Sequence, residues 1–373
     1  MRRLMYIYNR PEWPHFRWDD AALLAPLGAV RYRQGRLLGR MEGLGFNVRE
    51  EAVLETLTRD AVETSQIEGE SLARDQVRSS LARQLGIETA GLVPAGRQVE
   101  GIATVVLDAT QRFAEPLTSA RLFTWHSALF PDRDVGRQPI TVGAWRTDAL
   151  GPMRVVSGSW RRERVHFEAP PAAQVAAEME RFLNWFEDAD DTTDAVLRAA
   201  IAHIWFVTIH PFDDGNGRIA RAIADMALAR AEGTGRRFYS MSARLRTERN
   251  AYYETLEATQ KGDLEITARL AWFLGVLDSA IADAETMLDA VLRKERFWRA
   301  LDAKPVNPRQ RAMLTRLLDG FEGNLTSSKW AQIAKCSHDT ALRDIDDLLV
   351  RGLLVRGPAG GRSTRYILVE PQS

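Results

Sequence analysis

The chain has 373 residues, 45% of them apolar, with 50 basic and 50 acidic side chains. This length suggests two or three domains with ample core material, and a formal charge of zero gives no global argument for nucleic acid or an anionic surface as partner. A single cysteine, Cys336, excludes an intrachain disulfide and a thiolate metal cluster, and it fits a reducing compartment.

The N-terminal stretch MRRLMYIYNRPEWPHFRWDD has no apolar run of the secretory kind. No segment reaches the roughly 18 uninterrupted apolar residues of a membrane span. A cytoplasmic protein is therefore expected. Tyr6, Tyr8, Trp13, Phe16 and Trp18, interleaved with Pro11 and Pro14, do not suit a regular element. Large rings bury much area, so these residues are expected to clamp an extended segment onto a helical body. A ligand-stacking platform is the alternative.

Helical signals run from Asp20 to about Arg40, then through REEAVLETLTRDAVETSQIEGESLARDQVRSSLARQLG with an interruption near Gly69. Thr64 and Glu68 are four apart, hence neighbours on one helix face. Gly69 follows, where a helix can end. Further helices are expected over Gln98–Arg112 and Ser119–Leu129, with His126 packed or capped. From Ile140 to Pro171 the pattern breaks. ITVGAWRTD and RVVSGSWRRERVHFEAPP carry β-branched and aromatic residues with glycine turns, and a hairpin is expected with arms near Arg154–Ser157 and Arg164–Glu168. A lone hairpin is marginal in water and must lie on the helical body. Its free edge could pair with an extended segment of another protein. AAQVAAEMERFLNWFED and TTDAVLRAAIAHIWFVTI give two more helices, with His203 in the core rather than in a metal pair.

The second of these helices runs into HPFDDGNGRIAR, residues 210–221. Pro211 and the two glycines stop the helix, and RIARAIADMALARAE starts another. A Gly-Asn-Gly turn entering a helix presents N–H groups without intrahelical partners to an anion, above all a phosphate. Arg218 and Arg221 project from one face of the new helix and suit two phosphates in a row. Asp213 or Asp214 can hold Mg²⁺ shared with substrate phosphates. His210 can accept a proton near neutral pH. The stretch reads as a nucleotide site with a base and a metal; it is neither a Walker A loop nor an HExxH zinc site.

Beyond the loop, RTERNAYYETLEATQKGDLEITARLAWFLGVL gives two helices around a KGD turn, and Thr286 to Arg299 a connecting helix. KPVNP marks a boundary. The remainder reads helix–helix–helix–strand hairpin, an order that resembles a winged helix with GPAGGRST as the wing. Its third helix, HDTALRDIDDLLVRG, carries Asp339, Asp344, Asp346 and Asp347 against two arginines, which suits phosphate contacts poorly. A protein-interaction or dimer-supporting role is expected there, with DNA binding as the alternative.

HPFDDGNGRIAR matches the signature HPFx[DE]GNGRxxR and resembles the Fic family, most of whose members transfer AMP from ATP to a hydroxyl side chain of a target protein. The resemblance implies roles. His210 would deprotonate the incoming Ser, Thr or Tyr hydroxyl, and Phe212 would anchor the loop. Asp214 would ligate Mg²⁺, with Asp213 at the variable position only solvated. Gly215, Asn216 and Gly217 would cradle the α- and β-phosphates, Arg218 would hold the departing pyrophosphate, and Arg221 would reach the γ-phosphate. TSQIEG matches the family's inhibitory motif [ST]xxxE[GN], which would set Thr64 and Glu68 against Arg221. In some relatives that glutamate also supports AMP removal. The hairpin resembles the family's flap, with Val155 and Val156 flanking the target side chain and Ser157 and Gly158 near the nucleotide. Tyr252, Tyr253 or Gln260 would line the adenine pocket, with aromatic packing as the equal alternative.

The expectation is thus a mainly α-helical Fic fold with a β-hairpin flap. It comprises an N-terminal extension with the inhibitory helix (1–95), a catalytic core (96–285), a connecting helix (286–303) and a winged-helix domain (304–373). The implied activity is that of an autoinhibited protein adenylyltransferase using ATP and Mg²⁺. Transfer of UMP, phosphocholine or phosphate on the same fold is one alternative, and a transcriptional regulator with a nucleotide-sensing site is another.

Overall fold

The computed structural model describes residues 5–87, 92–131, 140–149, 151–158, 163–301, 306–318, 321, 323–357 and 364–369. It divides into two compact units, Met1–Ala284 and Glu285–Ser373. Residues 1–95, expected as a separate extension, belong to the same unit as the catalytic core.

The first unit is a helical body. α1 (Asp20–Glu42), α2 (Phe46–Ile67) and α3 (Arg74–Leu85) are followed by α4 (Arg97–Gln111), α5 (Ser119–Leu129), α6 (Ala172–Phe186), α7 (Ala195–Ile209) and α8 (Asn216–Glu232). Then come α9 (Met241–Thr247), α10 (Arg249–Gln260) and α11 (Thr267–Leu301). Side-chain caps set several starts: Asp19 accepts from the N–H groups of Ala21 and Ala22, Thr118 from Arg121 and Asp194 from Val196. In α7 only Ala195 and Arg198 escape burial. A helix apolar on all sides belongs inside the core, and α8 packs along it. The crossing of α4 with α5 needs a glycine. A Cβ at Gly101 would lie 1.8 Å from the carbonyl oxygen of Ala128.

The N-terminal aromatics act as the expected clamp. Tyr6 packs edge-on against Phe167 at 5.1 Å, and Trp13 and Phe16 both meet Trp205 edge-on. The strand-like backbone at Arg17 pairs with the segment before α11, donating to Leu264 O and accepting from Ile266 N, both at 2.8 Å. These rings are used in packing.

The hairpin forms as read: β1 (Arg154–Ser157) pairs antiparallel with β2 (Arg164–Glu168), with a bulge between Val155 and Val156. Phe167 is buried against Tyr6, so the N-terminal segment holds the hairpin to the body. ITVGAWRTD, where the helical pattern breaks as expected, is an irregular segment with a turn near Gly143. Its N–H groups go to the Asp213 and His126 side chains and to Pro211 O instead of a ladder, as described below.

The connecting helix expected at 286–303 is the continuation of α11, which runs unbroken for 35 residues. The second unit adds α12 (Pro308–Leu318), α13 (Ser327–Ile333), α14 (His338–Val350), β3 (Leu354–Arg356) and β4 (Tyr366–Leu368). Phe297, Met313, Leu314, Trp330, Ile345 and Leu348 form its core. β3 and β4 are antiparallel; residues 358–363 of the expected wing lie outside the described residues. Asp344, counted above as a repulsive charge, is 5% exposed and accepts from Asn307, Arg309 and Gln310. It ties α14 to α12.

Candidate active site

The site is built where α7 ends and α8 begins. The α7 helix terminates at His210, which adopts a left-handed conformation with φ 52° and ψ 59° while its N–H still bonds to Phe206 O. A non-glycine residue in this region is held by its surroundings. Arg146, almost fully buried, supplies much of the hold. Its Nε donates to His210 O at 2.8 Å, its N–H donates to Pro211 O at 2.9 Å, and its guanidinium also reaches Pro170 O. The His210 Nδ1–H faces Val207 O at 3.2 Å. That bond fixes the tautomer and leaves Nε2 as the acceptor. Burial pushes the imidazole down to about 4, so it is neutral across the physiological range.

Phe212 is fully buried, stacked on His126 at 4.2 Å and tilted against Trp145. His126 is a packed histidine, as read, and a brace as well. It faces Asp214 O through Nε2 and accepts Gly143 N–H at Nδ1. Asp213, expected to be only solvated, accepts the Thr141 N–H at 2.8 Å. The irregular segment after residue 140 is therefore a strap over the loop. Asn216 was expected in the phosphate cradle. Its side chain is instead committed to the loop, accepting from Phe212 N and donating to Phe212 O. What it offers an anion is its main chain. The first helical bond of α8 runs from Ile219 N to Gly215 O, so the N–H groups of residues 216–218 precede the ladder. Gly215 sits at φ 79°, and a Cβ there would meet Phe130 at 2.9 Å.

Both arginines of the loop are buried, and each meets a carboxylate from the turn after α2. Arg221 donates from Nε to Thr64 Oγ1 at 2.7 Å and from Nη2 to Thr64 O at 2.9 Å and Glu68 Oε1 at 2.7 Å. A Cβ on Gly217 would lie 2.1 Å from Glu68 Oε1. The glutamate thus occupies the space over the glycine as well as the charge of the arginine. Arg218 donates from Nη1 to Glu70 Oε2 at 2.7 Å, a contact that sequence reading missed. Gly69, at φ 87°, makes it possible. The turn it forms returns the Glu70 N–H to Ser65 O and brings residues 68 and 70 to the same pair of arginines. Two donors, Arg218 Nε and Arg221 Nη1, are buried without a hydrogen-bond partner. Unsatisfied guanidinium donors beside a helix N-terminus suit phosphate oxygens.

Asp214 is exposed and accepts Gly215 N–H at Oδ1, which leaves Oδ2 for a cation. No group of three or more His, Cys, Asp or Glu among the described residues could hold a metal alone. One carboxylate fits a Mg²⁺ ion that completes its shell with water and substrate oxygens.

A cavity of about 470 Å³ opens beside His210 and Gly217. It brings together Glu68, Val155, Val156, Ser157, His210, Gly217, Tyr252, Tyr253 and Gln260 of the residues singled out in the sequence. Gly158, Asp214, Arg218 and Arg221 are not among its walls. Glu68, which is, carries the contact to Arg221. The Tyr252 ring lines the cavity while its hydroxyl meets His203 Nε2 at 3.0 Å, and Gln260 Nε2 reaches Thr208 Oγ1 at 3.4 Å. His203 is a buried core residue, as read, and burial holds it well below the ordinary histidine range. The cavity also contains His166 and Glu257, to which sequence reading gave no role. His166 sits in a strand with ordinary alternation, and Glu257 on a helix face rich in charge; neither spacing marks them.

Residues 116–228 match the model described as the Fic/DOC family, and residues 6–87 match one described as a domain of unknown function, DUF4172. Thr64 and Glu68 fall within the second region; Tyr252 and Gln260 lie beyond both. The chain is similar to the uridine 5'-monophosphate transferase of Xanthomonas campestris pv. campestris (strain 8004), 33% identical over 123 residues, which cover 31% of this chain and 21% of that protein. It is also similar to the protein adenylyltransferase Fic of Drosophila yakuba, 34% identical over 114 residues, covering 30% of this chain and 22% of that one. The aligned part thus spans about a fifth of the length of these curated relatives. Among solved structures, a Fic family protein from Desulfovibrio desulfuricans G20 has a similar fold, with a TM-score of 0.53 at 20% identity over 95% of this chain and 98% of that one. The chain therefore carries a Fic/DOC-family domain, which includes the loop that begins at His210, within a mainly helical Fic fold.

Proposed function

We propose that the protein is a nucleotidyltransferase that moves AMP from ATP to a Ser, Thr or Tyr hydroxyl of a target protein, and that Glu68 restrains it in cis. The observation that carries this reading is the placement of one carboxylate. Glu68 lies in the cavity with the neutral base His210, and it simultaneously holds Arg221 and covers Gly217.

The chemistry follows from the loop. His210 Nε2 takes the hydroxyl proton while Nδ1–H stays on Val207 O. The freed oxygen attacks the α-phosphorus, and the bond to the β-phosphate breaks with pyrophosphate as leaving group. The N–H groups of residues 216–218 and the two arginines stabilise the phosphate charge, so positioning and electrostatics supply most of the rate. Mg²⁺ held by Asp214 would neutralise charge on the leaving phosphates. With Glu68 on Arg221, the γ-phosphate competes for a guanidinium that is already paired. A buried Arg loses heavily if its partner is simply removed, so release needs a replacing anion such as that phosphate. The same glutamate, freed from Arg221, could orient a water for AMP removal. The free edge of β1, with Val156 exposed, offers main-chain pairing to the target segment.

The similarity to a UMP transferase makes the nucleobase the open variable, so the test carries both nucleotides. Wild type, Glu68→Gly and Glu68→Gly/His210→Ala are incubated with labelled ATP or UTP, Mg²⁺ and cell lysate. Labelled protein bands with ATP in Glu68→Gly alone are the expected result. Equal labelling by wild type and Glu68→Gly removes the restraint from the reading, labelling with UTP only replaces AMP by UMP, and labelling without His210 removes the base.

A further inference from the structure

Behind the cavity wall, three helices each contribute one buried polar side chain to a single line of hydrogen bonds. Arg269 of α11 donates from Nη2 to His203 Nδ1 at 3.4 Å, and His203 of α7 meets the Tyr252 hydroxyl of α10 through Nε2 at 3.0 Å. All three residues are at most 3% exposed. Among the described residues no carboxylate pairs with Arg269. Its remaining contacts are a bond from Nη1 to Thr255 Oγ1 at 2.8 Å and the rings of Tyr252 and Trp272, 5.7 and 4.6 Å away. Burial pulls the guanidinium down to about 10, so it keeps its charge at neutral pH.

A guanidinium has donors only, so His203 Nδ1 must accept. Burial and the Arg269 and Arg221 charges keep the imidazole neutral, which puts its one proton on Nε2. Nε2–H then donates to the Tyr252 oxygen, and the phenolic proton is left without a bonded acceptor among the described residues. The line thus runs one way, outward from a buried cation, and each member polarises the next. Packing alone does not call for this order, since apolar side chains of similar volume fill such a space without burying a charge.

The hydroxyl at the end of the line lies at the phosphate side of the cavity. Tyr252 shares the cavity wall with Glu68 and Gly217. Arg221 Nη1, a buried donor with no partner, is 3.2 Å from the point where a Cβ on Gly217 would sit. Burial raises the hydroxyl above the ordinary tyrosine range, and of the charges acting on it Arg221 is the strongest and Glu68 the next. An anion that replaces Glu68 on Arg221 therefore arrives beside a hydroxyl with a proton to donate.

We infer that the Tyr252 hydroxyl donates a hydrogen bond to the terminal phosphate of the bound nucleoside triphosphate, aimed by His203 and Arg269 as positioning residues, and so helps the site tell a triphosphate from a diphosphate. The inference rests on the nucleotidyl-transfer reading, in which Arg221 takes that phosphate once Glu68 has left it. A tyrosine that only walled the nucleobase would act on diphosphate and triphosphate alike.

The test uses the full chain with Glu68→Gly and Mg²⁺, titrated by calorimetry with the α,β-methylene analogues of ATP and UTP and with ADP and UDP. Adding Tyr252→Phe should weaken binding of the triphosphate by about tenfold, the loss of one hydrogen bond to a charged group, and leave the diphosphate unchanged. His203→Leu should reproduce that loss, and His203→Gln, whose amide can donate to Tyr252 in place of Nε2, should recover most of it. Nitrogen NMR of the His203 ring, assigned by its absence in His203→Gln, should show a neutral imidazole protonated on Nε2. Thermal melts check folding, and where His203→Leu does not fold, Tyr252→Phe and the NMR decide. An unchanged triphosphate affinity in Tyr252→Phe, an equal loss for diphosphate and triphosphate, or a His203 proton on Nδ1 overturns the inference. If the triphosphate preference falls as expected but Glu68→Gly labels no lysate protein, the phosphate contact stands and the transferase reading falls. If Glu68→Gly binds none of the four nucleotides, both fall.

Discussion

Glu70 meets Arg218 across 148 residues of chain, Oε2 to Nη1 at 2.7 Å, and Gln98 donates to the same carboxylate oxygen at 3.1 Å. The contact sits beside the Glu68–Arg221 pair, so both arginines that would receive phosphates already have carboxylate partners. Releasing Glu68 alone leaves one of them engaged.

Nucleotide binding should therefore respond to the second glutamate once the first is gone. The Arg218 side chain is buried and that of Glu70 is 31% exposed, which makes the pair partly screened. A worth of ~1 kcal/mol is reasonable for such a pair. Glu68→Gly/Glu70→Ala should then bind ATP with Mg²⁺ about fivefold more tightly than Glu68→Gly, read by calorimetry with a non-hydrolysable analogue. An unchanged Kd would show that Glu70 does not compete with phosphate.

The contrast between the two glutamates shows what the sequence makes legible. Glu68 stands at a fixed place in a short local pattern, and His210 to Arg221 form one continuous stretch, so both could be read. The helices were legible through their 3.6-residue period, to within one residue at the ends of α4 and α5. Glu70, Arg146, His166 and Glu257 were not, because each acts through a partner at least 64 residues away: Arg146 to His210, or His166 to Glu257. Single polar residues at long range carry no periodicity. β-Branched residues in ITVGAWRTD suggest strands, yet the N–H groups of Thr141 and Gly143 are taken by Asp213 and His126. No helix stop lies between Asp278 and Thr286, so α11 runs through the point where the sequence reading began a connecting helix.

The base should titrate far below an ordinary histidine. Burial lowers His210 to about 4, the Val207 carbonyl and the Glu68 and Asp214 charges pull it back up, and Arg146 lowers it further. Removing Glu68 deletes one raising influence, so the value in Glu68→Gly is no higher. A lowered value keeps Nε2 unprotonated as the medium acidifies. The kcat/KM of Glu68→Gly, which reports the free enzyme, should accordingly stay flat from pH 8 down to pH 5. A limb with an apparent pKa near 6.5, the unperturbed histidine value, would contradict the buried neutral base.

Asp60 should make the protein less stable as pH rises. It lies on α2 one turn before Thr64, 2% exposed, accepting from Ser240 Oγ at 2.6 Å and Ser242 N at 3.3 Å. Burial and the neighbouring Asp225 charge raise it to about 7, against the pull of Arg237 and its own hydrogen bonds. Unfolded, an aspartate titrates near 3.9. The folded form thus holds a proton that the unfolded chain has lost. This stabilisation is complete below the unfolded value and disappears as pH rises through about 7. Asp60→Asn keeps an acceptor oxygen and has no charge to bury. At pH 8 it should be more stable than wild type by ~1 kcal/mol, or about 2 °C in Tm for a unit of this size. The gap should be level above pH 8 and narrow steadily as pH falls below about 7. Because Asp60 lines a small enclosed space with Thr64, Arg218 and Arg221, a gap that is constant with pH, or reversed, would mean that the carboxylate is stabilised as an anion beneath the two arginines.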